Sequence, residues 1–581
     1  MADGVRGALL ADGGVRAGKA KRFSALRFSP LVVLLCAILL VLILPPTVFV
    51  LYVSLHATAP DGSLGDFTFD NYAGMFRSRF FLSSLSNTAI YASGSAVVSI
   101  FLGTIQALVV ERTNTPGRSI VLLGAVISLG IPHVLYVMAW LLILGQAGPA
   151  NALLTHWFGA APIHVYSLGG MIMIEGIGFT PLVFMLMSSV LRSIDASFEE
   201  ASMMSGARPF TTFWNITLRI GLPGVLALLL LVFIRAFEAF EVPALVGLAG
   251  NINVLTTDIY QSSHSTGLPD YGQSGSYSVC LLVIVALLLF WYNGLSRNAH
   301  RYQTVTGKGY RPRVIDLGRW RYLTSGVLVL IFLLVTGLPV LMLLFTSLQP
   351  FYDGVTADAF SRVTMKNYAE LLRPGDFRDS MVNSFVLGAS TATLIVPFAA
   401  LCAWLAARRK PGGWLLDQIA NIPLAFPTIV LSVAFLFVFV YLPLPLYGTL
   451  VSVIIASSVR YLPYGMRYAY AGALQIHVEL EDASIASGAR MTATFLRIVM
   501  PLMATTLISA WLLIFLLSVQ VVSLPLLLVG PGTEVVAVTF FDLWQNGQAT
   551  ELAAMGIVWI VLITIVSSCF YMITRRFRII A

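Results

Sequence analysis

The sequence predicts an all-α, polytopic membrane protein of about 12 transmembrane helices, arranged as two parallel six-helix repeats. Three observations lead there. Of 581 residues, 58% are hydrophobic and only 11% charged, with a mean hydropathy of +0.86. Soluble domains carry roughly 25% charged residues, so most of this chain cannot face water. The apolar residues also fall in continuous runs long enough to cross a hydrocarbon core of roughly 30 Å, without the alternation of a membrane barrel. Finally, the pattern of the first half returns in the second.

Twelve spans are read, at 30–55, 84–110, 119–145, 166–192, 214–245, 277–296, 322–348, 381–407, 414–442, 447–473, 497–530 and 552–574. The first is too long for a cleavable signal peptide and lacks an A-x-A site after its apolar core. The organisation that follows is a basic tail (1–29), a first unit (30–300), a linker (301–321) and a second unit (322–581). A net charge of +8 raises the question of nucleic acid, but the placement of the charge answers it. Basic residues crowd the tail, the connections at Arg112–Arg118 and Arg408–Lys410, the linker and the C-terminus. Loops 146–165, 246–276 and 531–551 contain no Lys or Arg, whereas 349–380 carries four. By the positive-inside rule the basic side, with both termini, is cytoplasmic. The partner is membrane lipid, not nucleic acid. Cys36, Cys280, Cys402 and Cys569 lie in or beside apolar spans without a C-x-x-C pair, so they read as small buried hydrophobes.

The repeat is internal and extensive. Asn71-Tyr72 and Asn87 match Asn367-Tyr368 and Asn383 at an offset of 296, and Pro116-Gly117 matches Pro411-Gly412 at 295. Pro181, Phe213, Ile216 and Pro243 match Pro463, Phe495, Ile498 and Pro525 at 282, so the first unit has the longer loop around 146–165. Six crossings return a chain to its starting side, which makes the two units parallel about an axis normal to the membrane.

Within the repeat one loop is nearly duplicated. Glu200-Ala201-Ser202-Met203-Met204-Ser205-Gly206-Ala207-Arg208 recurs as Asp482-Ala483-Ser484-Ile485-Ala486-Ser487-Gly488-Ala489-Arg490. Glu199 and Glu200 in one copy, and Glu479, Glu481 and Asp482 in the other, occupy the first turn of a short helix, where the dipole favours carboxylates. Ala201 and Ala483 are small enough for a partner surface to approach. Gly206 and Gly488 suit a left-handed C-terminal cap, after which the chain turns toward the next span.

This acidic-Ala pair, six residues before Gly-Ala-Arg, resembles the EAA loop of ABC-importer permeases. Residues 30–575 as a whole resemble a fused pair of type I importer permeases, with ferric-iron permeases among the similar proteins; Thr257-Asp258-Ile259-Tyr260 adds to that likeness. The resemblance implies a permease in a bacterial inner membrane whose loops fold as coupling helices gripping an ATPase through Glu199, Glu200, Ala201, Gly206 and Arg208, and through Glu481, Asp482, Ala483, Gly488 and Arg490. Departures exist: Asp482 stands where the family has Glu, and Arg219 where the second copy has Pro501. No G-x-x-x-x-G-K-[ST] run is present, so ATP and Mg belong to partner subunits and this chain holds no cofactor and no catalytic residue. Two loops imply two copies of a cytoplasmic ABC ATPase subunit, and a periplasmic solute-binding protein is expected to deliver the cargo.

Charged groups inside spans mark a path, because lipid does not tolerate them. Span five carries Arg235, Glu238 and Glu241 at i, i+3, i+6, one helical stripe. Their counterparts are Leu517, Gln520 and Ser523, so acidity is expected from the first unit alone. The stripe reads either as a cavity lining for a cation or hydrogen-bonding solute, or as a structural ion pair. Glu175, beside Gly176 and Gly178, is a further candidate. The seven histidines do not cluster, and no metal site is expected. Ferric iron is the cargo the resemblance implies, with a polyamine, thiamine or phosphonate-type solute as alternatives. An ion-coupled secondary transporter, also duplicated and twelve-helical, is the rival class; it needs no ATPase and leaves the paired acidic loops unexplained.

Overall fold

The computed structural model describes residues 29–60, 62–159, 163–192, 194, 196–264, 269–300, 315–371, 373, 375–442 and 445–580. The basic tail before Ser29 and residues 301–314 of the expected linker lie outside them. The first unit comprises α1 (Pro30–Ser54), α2 (Arg79–Arg112), α3 (Arg118–Gly130), α4 (His133–Leu144), α5 (Leu168–Gly178), α6 (Thr180–Arg192), α7 (Ala196–Met204), α8 (Leu218–Phe237), α9 (Leu255–Ser263) and α10 (Tyr271–His300). The second comprises α11 (Trp320–Phe332), α12 (Leu338–Ser347), α13 (Asp376–Ala407), α14 (Gly413–Asn421), α15 (Thr428–Tyr441), α16 (Leu450–Leu474), α17 (Val478–Ala486), α18 (Ala504–Gln520), α19 (Val536–Gln545) and α20 (Ala549–Ile580). Two isolated bridges apart, the sheet among the described residues is one hairpin, His56–Thr58 against Leu64–Phe67. The all-α class holds.

Every expected span is helical, but not every one is straight. Eight helices are long and apolar enough to cross a membrane, and three bent pairs bring the number to eleven among the described residues. Helix α16 has the length without the apolarity, since it carries Arg460 and Arg467. The expected span 414–442 bends by 102° where α14 and its 3-10 extension meet α15. Proline causes the break. Pro427 donates no hydrogen bond and pushes Phe426 into an extended conformation (φ −85°, ψ 116°). Its repeat partner Pro132 does the same to Ile131 (φ −82°, ψ 122°), dividing span 119–145 into α3 and α4. Span 497–530 is bent by 76° before α18 and leaves the helix after Gln520.

The matched asparagines do matched work. Asn71 Nδ2 donates to the carbonyls of Ser54 and His56, and Asn367 Nδ2 to those of Ser347 and Gln349. The neighbouring tyrosines bond the same serines, Ser54–Tyr72 and Ser347–Tyr368, at 2.7 Å each. Asn87 and Asn383 reach the carbonyls of Asn253 and Glu534. Orphan carbonyls at a helix end are thus satisfied identically in both units. A π-turn also begins at Phe213 and at its counterpart Phe495.

The units interlock. Helix α1 packs on α14 and α15 of the second unit, and α11 and α12 pack on α3 and α4 of the first. Each opening helix therefore covers the broken span of the other half. Inside each unit the long helix is central: α2 packs on α5, α6 and α8, and α13 on α16 and α18. Cys402 is buried as expected, whereas Cys569 is exposed.

Candidate functional sites: paired acidic loops and a charge cluster

Both acidic loops form the expected short helices, α7 and α17. Gly206 (φ 87°) and Gly488 (φ 85°) take the left-handed conformation. Their N–H groups donate to Met203 and Ile485, while those of Ala207 and Ala489 reach back to Ser202 and Ser484. This is a glycine-terminated cap in duplicate. The serines tie the loop helix to the next segment: Ser202 bonds Thr212 and Ser484 bonds Thr494, each at 2.9 Å.

The geometry divides the acidic residues into two sets. Glu200 and Asp482 are exposed, as are Ala201, Arg208, Ala483 and Arg490. Glu199 and Glu481 are buried, at 4% and 5% exposure, and turn into the protein. Arg112, in the last turn of α2, lies 3.3 Å from Glu199; Arg408, at the end of α13, lies 2.7 Å from Glu481. Thr217 donates to Glu199 and Trp404 Nε1 to Glu481. Each loop helix is therefore fastened to the long helix of its own unit by a buried ion pair. Removing one partner of such a pair costs about 3–5 kcal/mol, because the other is left buried and unpaired. The outward face is unexpectedly apolar: Phe198 and its repeat partner Leu480 are exposed, and Met204 is 90% exposed.

The charges of span five are also redistributed. Helix α8 ends at Phe237 with Glu238 as its cap, so Glu241 lies beyond a break and does not continue the expected stripe. Arg235 and Glu238 do meet, at 2.8 Å. Sequence reasoning missed their partners across the interface. Arg235 Nη2 donates to Tyr464 Oη at 2.6 Å, and Arg460 Nη2 lies 3.6 Å from Glu238. Arg460 Nη1 also donates to the carbonyl of Phe426, freed by the Pro427 break. Arg460 stands where the first unit has Gly178. The cluster thus sets two guanidiniums, one from each half, around a single carboxylate, and is not acidic from the first alone. Gln520 ends α18 and Ser523 is buried beyond it, so the matching place in the second unit carries no charge. Arg460 was signalled in the sequence as a guanidinium within an expected span, a costly placement that demands a partner.

Residues 99–301 and 395–579 match the profile of binding-protein-dependent transport system inner membrane components, and the two stretches begin 296 residues apart, at the repeat offset found above. The chain belongs to this family. Among curated relatives, the ferric transport system permease protein FbpB of Actinobacillus pleuropneumoniae is 28% identical over 484 residues, 82% of this chain and 69% of that protein. The Fe(3+)-transport system permease protein FbpB 2 of Haemophilus influenzae is 24% identical over 490 residues, 83% of this chain and 87% of that one. A Salmonella typhi protein named for a 2-aminoethylphosphonate transport system permease, PhnU, is 28% identical over 207 residues, only 35% of this chain. As a family member the chain is an inner-membrane transport permease and not an enzyme. The paired loops and interlocked halves are thus features of a binding-protein-dependent permease.

Proposed function

We propose that this chain supplies the membrane pathway of an ATP-driven importer that receives ferric iron from a periplasmic binding protein and releases it into the cytoplasm by alternating access. The observation that carries this reading is the duplication of a capped acidic helix, presented on each half with an exposed apolar face and anchored by a buried arginine. Two equivalent docking elements call for two ATPase subunits, with ATP and Mg bound there. Glu200 and Asp482 face the ATPase; Glu199 and Glu481 transmit its movement to α2 and α13. Both termini lie on that cytoplasmic side. The Arg235–Glu238–Arg460–Tyr464 cluster is a gate, since its bonds cross between the halves that must part when the cavity turns. Ferric iron is favoured over a phosphonate because the ferric relatives match across both halves.

Proteoliposomes holding this chain with its ATPase and binding protein test the proposal. Iron uptake should require internal ATP and both partners. Uptake by the permease alone, driven by a proton or sodium gradient, would establish the secondary-transporter class instead.

A further inference from the structure

Away from the charges between the halves, a second polar group is buried in the first unit. Glu175 on α5 is 0% exposed, and neither carboxylate oxygen has a close hydrogen bond, Tyr91 being its looser partner. His133, the first residue of α4 after the Pro132 break, pairs Nε2 with Glu175 Oε2 at 3.6 Å and makes no hydrogen bond there. Tyr91 on α2 and Tyr136 on α4 are buried without a close hydrogen bond at either hydroxyl; Tyr91 has Glu175 as its looser partner and Tyr136 has Trp140, and both are electrostatic neighbours of Glu175. The His133 and Tyr136 rings stack with centroids 6.0 Å apart, and a Cβ at Gly178 would meet both side chains within 3.2 Å.

Native interiors leave few buried polar atoms unpaired, each at a cost of about 1–3 kcal/mol. Several so loosely paired in one place point to a missing ligand. A gap of 3.6 Å is too long for a hydrogen bond. It suits two donors sharing one ion, since ligands roughly 2.0–2.2 Å from a metal lie about 3–3.6 Å apart. The donor set is a carboxylate, an imidazole and two phenols, oxygen-rich and fit for a hard, highly charged cation; imidazole also suits iron. The repeat partners of Tyr91, His133, Tyr136 and Glu175 are Leu387, Thr428, Leu431 and Ser457, so the second unit has no counterpart. His133 keeps its side chain 30% exposed, which gives the group an open edge. Glu241 is an electrostatic neighbour both of Glu175 and of Tyr461, next to Arg460, and so links the group to the interface cluster.

We propose that Glu175, His133, Tyr91 and Tyr136 form a transient coordination site for the ferric ion inside the first unit. This rests on the ferric reading above. A phenol that joins the ion exchanges its O–H bond for an O–Fe bond and releases the proton to water at the open edge beside His133, and the iron keeps its oxidation state.

The test uses the full chain in lipid nanodiscs, titrated with ferric nitrilotriacetate and followed by the visible tyrosinate-to-iron charge-transfer absorption. Wild type should develop the band. Tyr91→Phe with Tyr136→Phe should abolish it, and Glu175→Gln should weaken iron binding at least tenfold. The tyrosine variants each delete one oxygen from a packed ring, and matching thermal midpoints would show that they fold. Iron uptake by the assembled importer separates the two levels of the argument. A band that is missing, or unchanged in the variants, while wild type imports iron would overturn the site and leave the ferric reading standing. An assembled wild type that imports no iron would remove both.

Discussion

Replacing Arg408 by alanine strands Glu481 inside the protein. The carboxylate is 5% exposed and loses the Nε and Nη2 donors of Arg408, at 2.8 and 2.7 Å, keeping only Trp404 Nε1 at 3.1 Å. The carbonyl of Ile476 loses its arginine donor as well. Breaking a buried pair in this way costs about 3–5 kcal/mol. With one donor left to Glu481 the lower figure applies, and about 1.4 kcal/mol per tenfold gives roughly a hundredfold shift toward the undocked loop helix. Hydrogen–deuterium exchange in nanodiscs reads this directly, because local opening of α17 sets the protection of amides 478–486. Protection there should fall by about two orders of magnitude while the core of α13 is unchanged. The double variant Arg408→Met/Glu481→Met, which removes both charges, should recover most of it. Wild-type protection in Arg408→Ala would show that the ion pair does not hold the helix, and the argument for transmission through Glu481 would fail.

Other outcomes follow from the same geometry. Gly206→Pro with Gly488→Pro should abolish uptake without preventing membrane insertion, since proline cannot adopt a φ near +86°; ATP-driven uptake at the wild-type rate would contradict the coupling role. Tyr464→Phe removes the acceptor of Arg235 Nη2, a bond to a charged group worth about 1.5–3 kcal/mol, and with Glu238→Gln should alter uptake rates while ATPase copurification stays the same. Asp258 on α9 is pushed up by burial to about 6, against roughly 4 in an unfolded chain. Its contribution to stability is therefore complete below about pH 4 and is lost as pH rises through about 6, to the extent of roughly 3 kcal/mol. Asp258→Asn should flatten the fall in thermal midpoint between those pH values, and a fall as steep as wild type would place the effect elsewhere.

What the sequence made legible was whatever repeats or interrupts a pattern. The matched asparagines, prolines and glycines are the residues that satisfy helix ends, break spans and cap loops, so their offsets reported structural roles before any coordinates. The depth of a side chain was harder to read. Glu199 and Glu200 are adjacent and chemically alike, yet a rotation of about 100° sends one inward to Arg112 and the other to the surface. The signal existed in the repeat, because Arg112 and Arg408 recur at one offset and Glu199 and Glu481 at another, a paired recurrence expected of partners. Arg460 sits in a span whose apolar length does not show where its guanidinium turns or that Glu238 of the other half receives it.

The crossed placement of α1 bears on how the protein is made. During synthesis this helix enters the bilayer long before the ribosome has reached residues 413–441, its eventual neighbours. Until then lipid must stand in for protein, and only a strongly apolar segment tolerates the wait. Among the straight spans, α1 and the continuous 320–347 helix are the two most apolar, and no charged side chain lies in α1. Cutting the polypeptide between the units would oblige each fragment to find the other in the plane of the membrane before either could finish assembling. A single chain removes that search.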